Sequence, residues 1–85
     1  MNELNFQVAR VHKLSKGGRV KAFIDLKVAD AIVLKGLRVV EGPKGLFVSM
    51  PQQQGKDKKW YDTIHCLSKE VRWEISKEVL AAYEE

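Results

Sequence analysis

The sequence predicts an α+β domain, an antiparallel β-sheet of about five strands with a C-terminal α-helix on one face, and three observations lead to it. Short apolar runs with a two-residue alternation dominate the first 66 positions, which is the spacing of strands with one buried face. Glycine-containing turns at Ser15-Lys16-Gly17-Gly18 and Gly42-Pro43-Lys44-Gly45 separate those runs and supply the φ > 0 positions that hairpins need. From Ser68 onward the apolar period lengthens to that of a helix. Strands first and a helix last describe a two-layer domain, with residues 1–85 as a single unit.

In the first strand Leu4, Phe6 and Val8 alternate with Asn5 and Gln7, and Val11 continues the strand if a bulge falls near Ala9-Arg10. The second strand places Val20, Ala22, Ile24, Leu26 and Val28 on one face and Arg19, Lys21, Phe23, Asp25 and Lys27 on the other. The third covers about Ile32 to Val40, and Gly36 in its middle marks a bulge or a close backbone approach. The fourth runs from Leu46 to Met50 and is closed by Pro51, which has no N–H for a ladder.

Gln52 to Lys59 contains no aliphatic or aromatic residue, so burying it would desolvate backbone for little apolar gain, and it is expected to be an exposed loop. Trp60 to His65 is expected to form a short fifth strand. In the terminal helix Val71, Ile75, Val79, Ala82 and Tyr83 share a face with Leu80 beside them, while Lys69, Glu70, Glu74, Lys77 and Glu78 lie away from it. Ser68 is placed to cap that helix, with Glu70 in the first turn where the helix dipole favours an anion. One helix cannot cover five strands, so a second sheet face carrying Phe23 and Phe47 is left over.

Eighty-five residues is near the lower limit for a self-sufficient apolar core, because so short a chain buries only about 60% of its unfolded surface; a partner chain would help. The net charge is +4 and is unevenly spread. Residues 1–28 hold six basic and two acidic groups, residues 29–66 six and four, and residues 67–85 three and five. A polyanion would therefore meet the strands and their loops rather than the last turns of the helix. A single cysteine excludes an internal disulfide and fits a reducing cytoplasm. The start of the chain lacks the pattern of a signal peptide, and no apolar run approaches the roughly 20 residues needed to cross a bilayer, so a cytoplasmic protein without a membrane partner is expected.

His65 and Cys66 are candidates for a base and a nucleophile, but neighbours on a strand point to opposite faces and do not readily form such a pair. His12, Asp62, His65 and Cys66 show none of the spacings of a zinc site. The six glycines fit turns and a bulge rather than a phosphate-binding loop. No catalytic residues, metal, cofactor or small-molecule substrate are therefore expected. Lys56, Lys58 and Lys59 stand beside Trp60 and Tyr61, and flexible cations suit phosphates while exposed aromatics stack on unpaired bases. A solvated charged loop, with Trp60 turned to the core and Tyr61 outward, is the plainer alternative. Arg10, Lys13, Lys16, Arg19, Lys21 and Lys27 make the first hairpin basic, either for phosphates or to keep an edge strand from aggregating.

The stretch from Gly36 to Pro51 joins two apolar runs through a tight turn and ends Gly45-Leu46-Phe47-Val48-Ser49-Met50-Pro51. A polar loop follows, then Trp60, Asp62 and His65, and then a helix with Arg72, Ile75, Val79, Leu80 and Tyr83 in order. This succession strongly resembles the SpoVG family (stage V sporulation protein G, or septation regulator) of small bacterial regulators. The first thirty residues match that family mainly in pattern. The resemblance implies a homodimer assembled through β-strands. It also implies regulation of gene expression, septation or sporulation-type processes through binding of DNA and RNA, with basic residues of the polar loop and the adjacent helix involved.

On this chain the resemblance assigns nucleic-acid contacts to Lys56, Lys58, Lys59 and Arg72, and to Gln53 and Gln54, which stand where typical members carry a Lys-Arg pair. Tyr61 likewise replaces a basic residue and Cys66 a proline. Lysines can replace the missing charge but not the bidentate geometry of arginine. Arg72 adjoins Trp73, and the two could face the loop together from the start of the helix. The competing reading is a protein-interaction module in cell-division or developmental regulation, presenting a sheet edge or the Trp73 surface to a partner.

Overall fold

Four strands arise where alternation and turn chemistry agree: β1 (Phe6–Lys13), β2 (Val20–Val28), β3 (Ile32–Gly42) and β4 (Gly45–Ser49). They form an antiparallel meander in the order β1-β2-β3-β4. Two short strands, β5 (Gln52–Gln54) and β6 (Trp60–Asp62), make a separate ribbon, and α1 (Lys69–Glu84) ends the fold. The computed structural model describes residues 5–15 and 17–85. Leu4, expected in the first strand, and Lys16, expected in the first turn, lie outside the described residues.

Bulges reconcile the apolar pattern with a single buried face. Val8 and Val11 are three residues apart, and so are Leu34 and Leu37; strict alternation would send each pair to opposite faces. The β1–β2 register slips between Val8 and Arg10, and the β2–β3 register slips where Ile24 faces Leu37 and Asp25 faces Lys35. Ala9 and Gly36 are the extra residues, and all four apolar side chains join the core. Gly36 has φ +94°, a backbone region that suits glycine. These two bulges lie where the sequence places them; a further slip in the β2–β3 register, between Val20 and Ala22, was not expected.

The core consists of Ala22, Ile24, Leu26, Val28, Leu37, Val39, Val48, Met50, Ile75 and Val79. Every second residue of β2 from Ala22 to Val28 belongs to it, and α1 contributes Ile75 and Val79 with Val71, Leu80 and Tyr83 around them. Ser68 caps the helix as expected: its backbone is extended and its Oγ accepts the Val71 N–H at 3.2 Å. At the other end the Lys13 ammonium lies 5.2 Å from the Tyr83 ring centroid and 3.4 Å from the Glu85 carbonyl, which ties the C-terminal turn to β1.

Four expectations are corrected. The main sheet has four strands, and the fifth predicted strand belongs to the ribbon. That strand stops at Asp62 rather than His65, because the next position in register pairs Thr63 with Pro51, whose carbonyl accepts the Thr63 N–H and Oγ at 2.8 and 3.1 Å but which has no N–H to return. Gln52–Gln54, expected to be loop, is paired strand. Its exposure is as expected, but backbone pairing needs no apolar side chain, and an unburied ribbon carries no apolar alternation to reveal it. β4 likewise ends one residue early, at Ser49.

Candidate functional site

The ribbon pairs Gln52 with Asp62, Gln53 with Tyr61 and Gln54 with Trp60, leaving Gly55 to Lys59 as its tip. Backbone bonds close the tip: the Gly55 N–H donates to the Lys59 carbonyl at 2.8 Å, and the Lys58 N–H to the Gly55 carbonyl at 3.0 Å. Lys58 takes φ +67°, and the Gln54 amide donates to its carbonyl at 3.1 Å. Asp57 accepts the Lys59 N–H at 3.0 Å on one oxygen and the Tyr61 hydroxyl at 2.5 Å on the other. The Tyr61 ring crosses Gly55 so closely that a Cβ there would lie 2.9 Å from a ring carbon, so this glycine provides the space for the ring.

These bonds set the electrostatics of the tip. The Tyr61 hydroxyl, followed by the Lys59 N–H, holds the Asp57 carboxyl below its ordinary pKa, and the bond to Asp57 holds the Tyr61 phenol above its own. The only acid of the tip is thus occupied in shaping it. Lys56, Lys58 and Lys59 are exposed, and among the described residues none of them has an ion-pair partner. Trp60 and Tyr61, on opposite sides of the ribbon by alternation, are 61% and 52% exposed; the reading that buries Trp60 does not hold.

The six residues singled out from sequence fall into different places. The three lysines share the tip. Gln54 is adjacent, but its amide is spent on the Lys58 carbonyl; Gln53 is exposed opposite Tyr61. Arg72 lies on α1 and reaches the Val48 carbonyl of β4 at 3.4 Å; among the described residues no hydrogen bond links it to the tip. Trp73 has a different neighbour, Lys77, whose ammonium lies 4.4 Å from the indole ring centroid. His65 is exposed and Cys66 half-buried against the core, both between β6 and α1.

Sequence reasoning missed Arg38 and Gln52. The Arg38 Nη2 donates to Ser49 Oγ at 2.9 Å and to Gln52 Oε1 at 2.8 Å, while the Gln52 amide donates to Asp62 at 2.9 Å. This chain of bonds fastens the ribbon to the main sheet. Part of it was legible: Arg38 sits between apolar Leu37 and Val39, and counting back from the Gly42–Gly45 turn sets it opposite Ser49. The bond to Gln52 was not, because nothing local specifies how the ribbon folds back.

The family model for SpoVG matches residues 4–85, which takes in the sheet, the ribbon and the helix. The chain belongs to the SpoVG family. Its relatives include proteins named "Putative septation protein SpoVG" from Archaeoglobus fulgidus, 45% identical over 76 residues and 89% of each chain, and from Lachnospira eligens, 35% identical over 81 residues, 95% of this chain and 92% of the relative. A third, from Staphylococcus carnosus, is 38% identical over 76 residues, 89% of this chain and 71% of the relative. SpoVG relatives are thus named for septation rather than for a reaction. Among the described residues no helix is long and apolar enough to cross a membrane.

Proposed function

We propose that this SpoVG-family protein is a regulator that binds nucleic acid, DNA and RNA, as a homodimer and performs no catalysis. The observation that carries the reading is the ribbon tip: three exposed lysines, without an ion-pair partner among the described residues, on a loop braced by Asp57, Gln54 and Tyr61, beside two exposed aromatic rings. Lysines on such a support meet phosphates without first ordering the backbone that carries them. Arg72 serves as an accessory contact from α1. In a two-fold dimer each weak cluster is duplicated and acts at high effective concentration.

The test is a salt-titrated binding assay with duplex DNA, single-stranded DNA and RNA. Changing Lys56, Lys58 and Lys59 together to Gln is expected to weaken binding to every sequence. It also flattens the salt dependence, by up to about 0.9 log unit per log unit of salt for each duplex phosphate no longer neutralised. Wild-type protein with no salt-sensitive binding at about 100 µM, the weak end of ordinary non-specific affinity, overturns the reading. A septation-linked protein-interaction module is the second reading, favoured by Trp73, 62% exposed on α1, and Leu67, 95% exposed just before it. In that case the triple variant stays active in the cell and a Trp73→Ala variant does not.

A further inference from the structure

We propose that the open face of the four-stranded sheet is a stacking platform for single-stranded nucleic acid, with Phe23, Phe47 and Trp60 as ring surfaces and Arg10, Lys35 and Arg38 as phosphate contacts. This rests on the nucleic-acid reading and extends it from the ribbon tip to a second surface. Phe23 lies between Ala22 and Ile24, and Phe47 precedes Val48; those neighbours are in the core beneath α1, so alternation turns both rings to the opposite side. Phe23 is 42% and Phe47 46% exposed. The Phe47 ring rests against Gly42, where a Cβ would come within 2.9 Å of it.

Strand register arranges cations around the rings. Arg38 is opposite both Phe23 and Ser49, while Asp25 lies between Arg10 on β1 and Lys35 on β3. Phe47 is opposite Val40, two residues along β4 from Ser49. Two strand spacings and that offset separate Phe23 from Phe47 by about 12 Å, beyond the roughly 4.5–7 Å of a direct ring pair. Each ring therefore presents its own surface to a base. The Arg38–Gln52–Asp62 bonds hold the ribbon to this face, and alternation along β6 puts Trp60 on the same side of the ribbon as Asp62. The platform therefore continues into the lysine tip.

Charge selects the occupant. Asp25 stands between Arg10 and Lys35, with Arg38 one cross-strand position further along the same face, and pairing this face with its own copy about a two-fold axis would set like charges together. A strand with negative phosphates and unpaired bases complements both features, since stacking is open to any base outside a duplex. In a duplex the base faces are already stacked on one another and are closed to these rings.

The test measures affinity for a single-stranded oligonucleotide and for a duplex of the same sequence. The proteins are wild type and the folded variants Phe23→Ala, Phe47→Ala and Phe23→Tyr. Each alanine variant is expected to lose about tenfold or more in single-strand affinity, the scale of one stacked base, with duplex affinity unchanged; Phe23→Tyr keeps its affinity because the ring remains. In a Trp73→Phe background, the single strand is expected to quench Trp60 fluorescence. Unchanged single-strand affinity in both alanine variants overturns the platform, and if the lysine triple variant still loses binding, the function proposed above stands without it. A wild type that binds neither probe instead removes the nucleic-acid reading itself. Alanine variants that turn from dimer to monomer without loss of single-strand affinity overturn the platform in favour of a contact between two copies of the chain.

Discussion

Asp57 is an acid among three lysines, and both of its oxygens are engaged, one by the Lys59 N–H and one by the Tyr61 hydroxyl. Its lowered pKa means that these bonds contribute fully above the ordinary carboxylate range and are lost as the pH falls through the lowered value. For Tyr61 the sign reverses: the contribution is full below about pH 10, the ordinary phenol value, and is lost as the pH rises through the raised one. Tyr61→Phe is therefore expected to return the Asp57 pKa toward its ordinary value, as followed by carboxyl NMR. A spectrophotometric titration of the wild type should show one of its two tyrosines ionising later than a free phenol. If Asp57 titrates identically in both proteins, the hydroxyl does not hold the tip.

The helix shows how element stability is divided between a terminus and a face. Ser68 closes one N–H of the first turn, and Ser68→Ala is expected to cost about 1 kcal/mol. Ile75 is buried between α1 and the sheet, so Ile75→Ala should cost about 2–5 kcal/mol, the transfer loss plus a cavity. Urea unfolding checks both; equal costs would mean that α1 is held by its cap rather than by its apolar face. In β3 the decisive feature is Gly36, whose positive φ lets Leu34 and Leu37 reach the same core.

At the scale of the molecule, the meander leaves β1 and β4 as the edges of its main sheet, and α1 covers only one face. Unpaired edges and a small core favour pairing with a second chain, the basis of the homodimer proposed above. Sedimentation at micromolar concentration is expected to give a dimer, and a stable folded monomer there would sink that part of the proposal. Val39→Pro should impair folding and assembly together, because Val39 is buried and paired to both β2 and β4 and proline removes a ladder donor.

The α+β class, the faces of β2, both predicted bulges and the Ser68 cap were legible because each depends on neighbours a few positions away: alternation, a glycine, a hydroxyl before an amphipathic run. The lysines beside Trp60 and Tyr61 were legible as a cluster for the same reason. Sequence by itself determined those local features. Only the tertiary structure decided that Gln52–Gln54 pairs with Trp60–Asp62, that Asp57 is consumed by Tyr61, that Arg72 turns to β4 and Trp73 to Lys77, and that Arg38 fastens the ribbon to the open sheet face. The physical reason is that exposed polar groups have several partners of similar strength within reach, and the bonds between them are individually weak. Which partner each one takes is set by where the buried core has already carried the backbone.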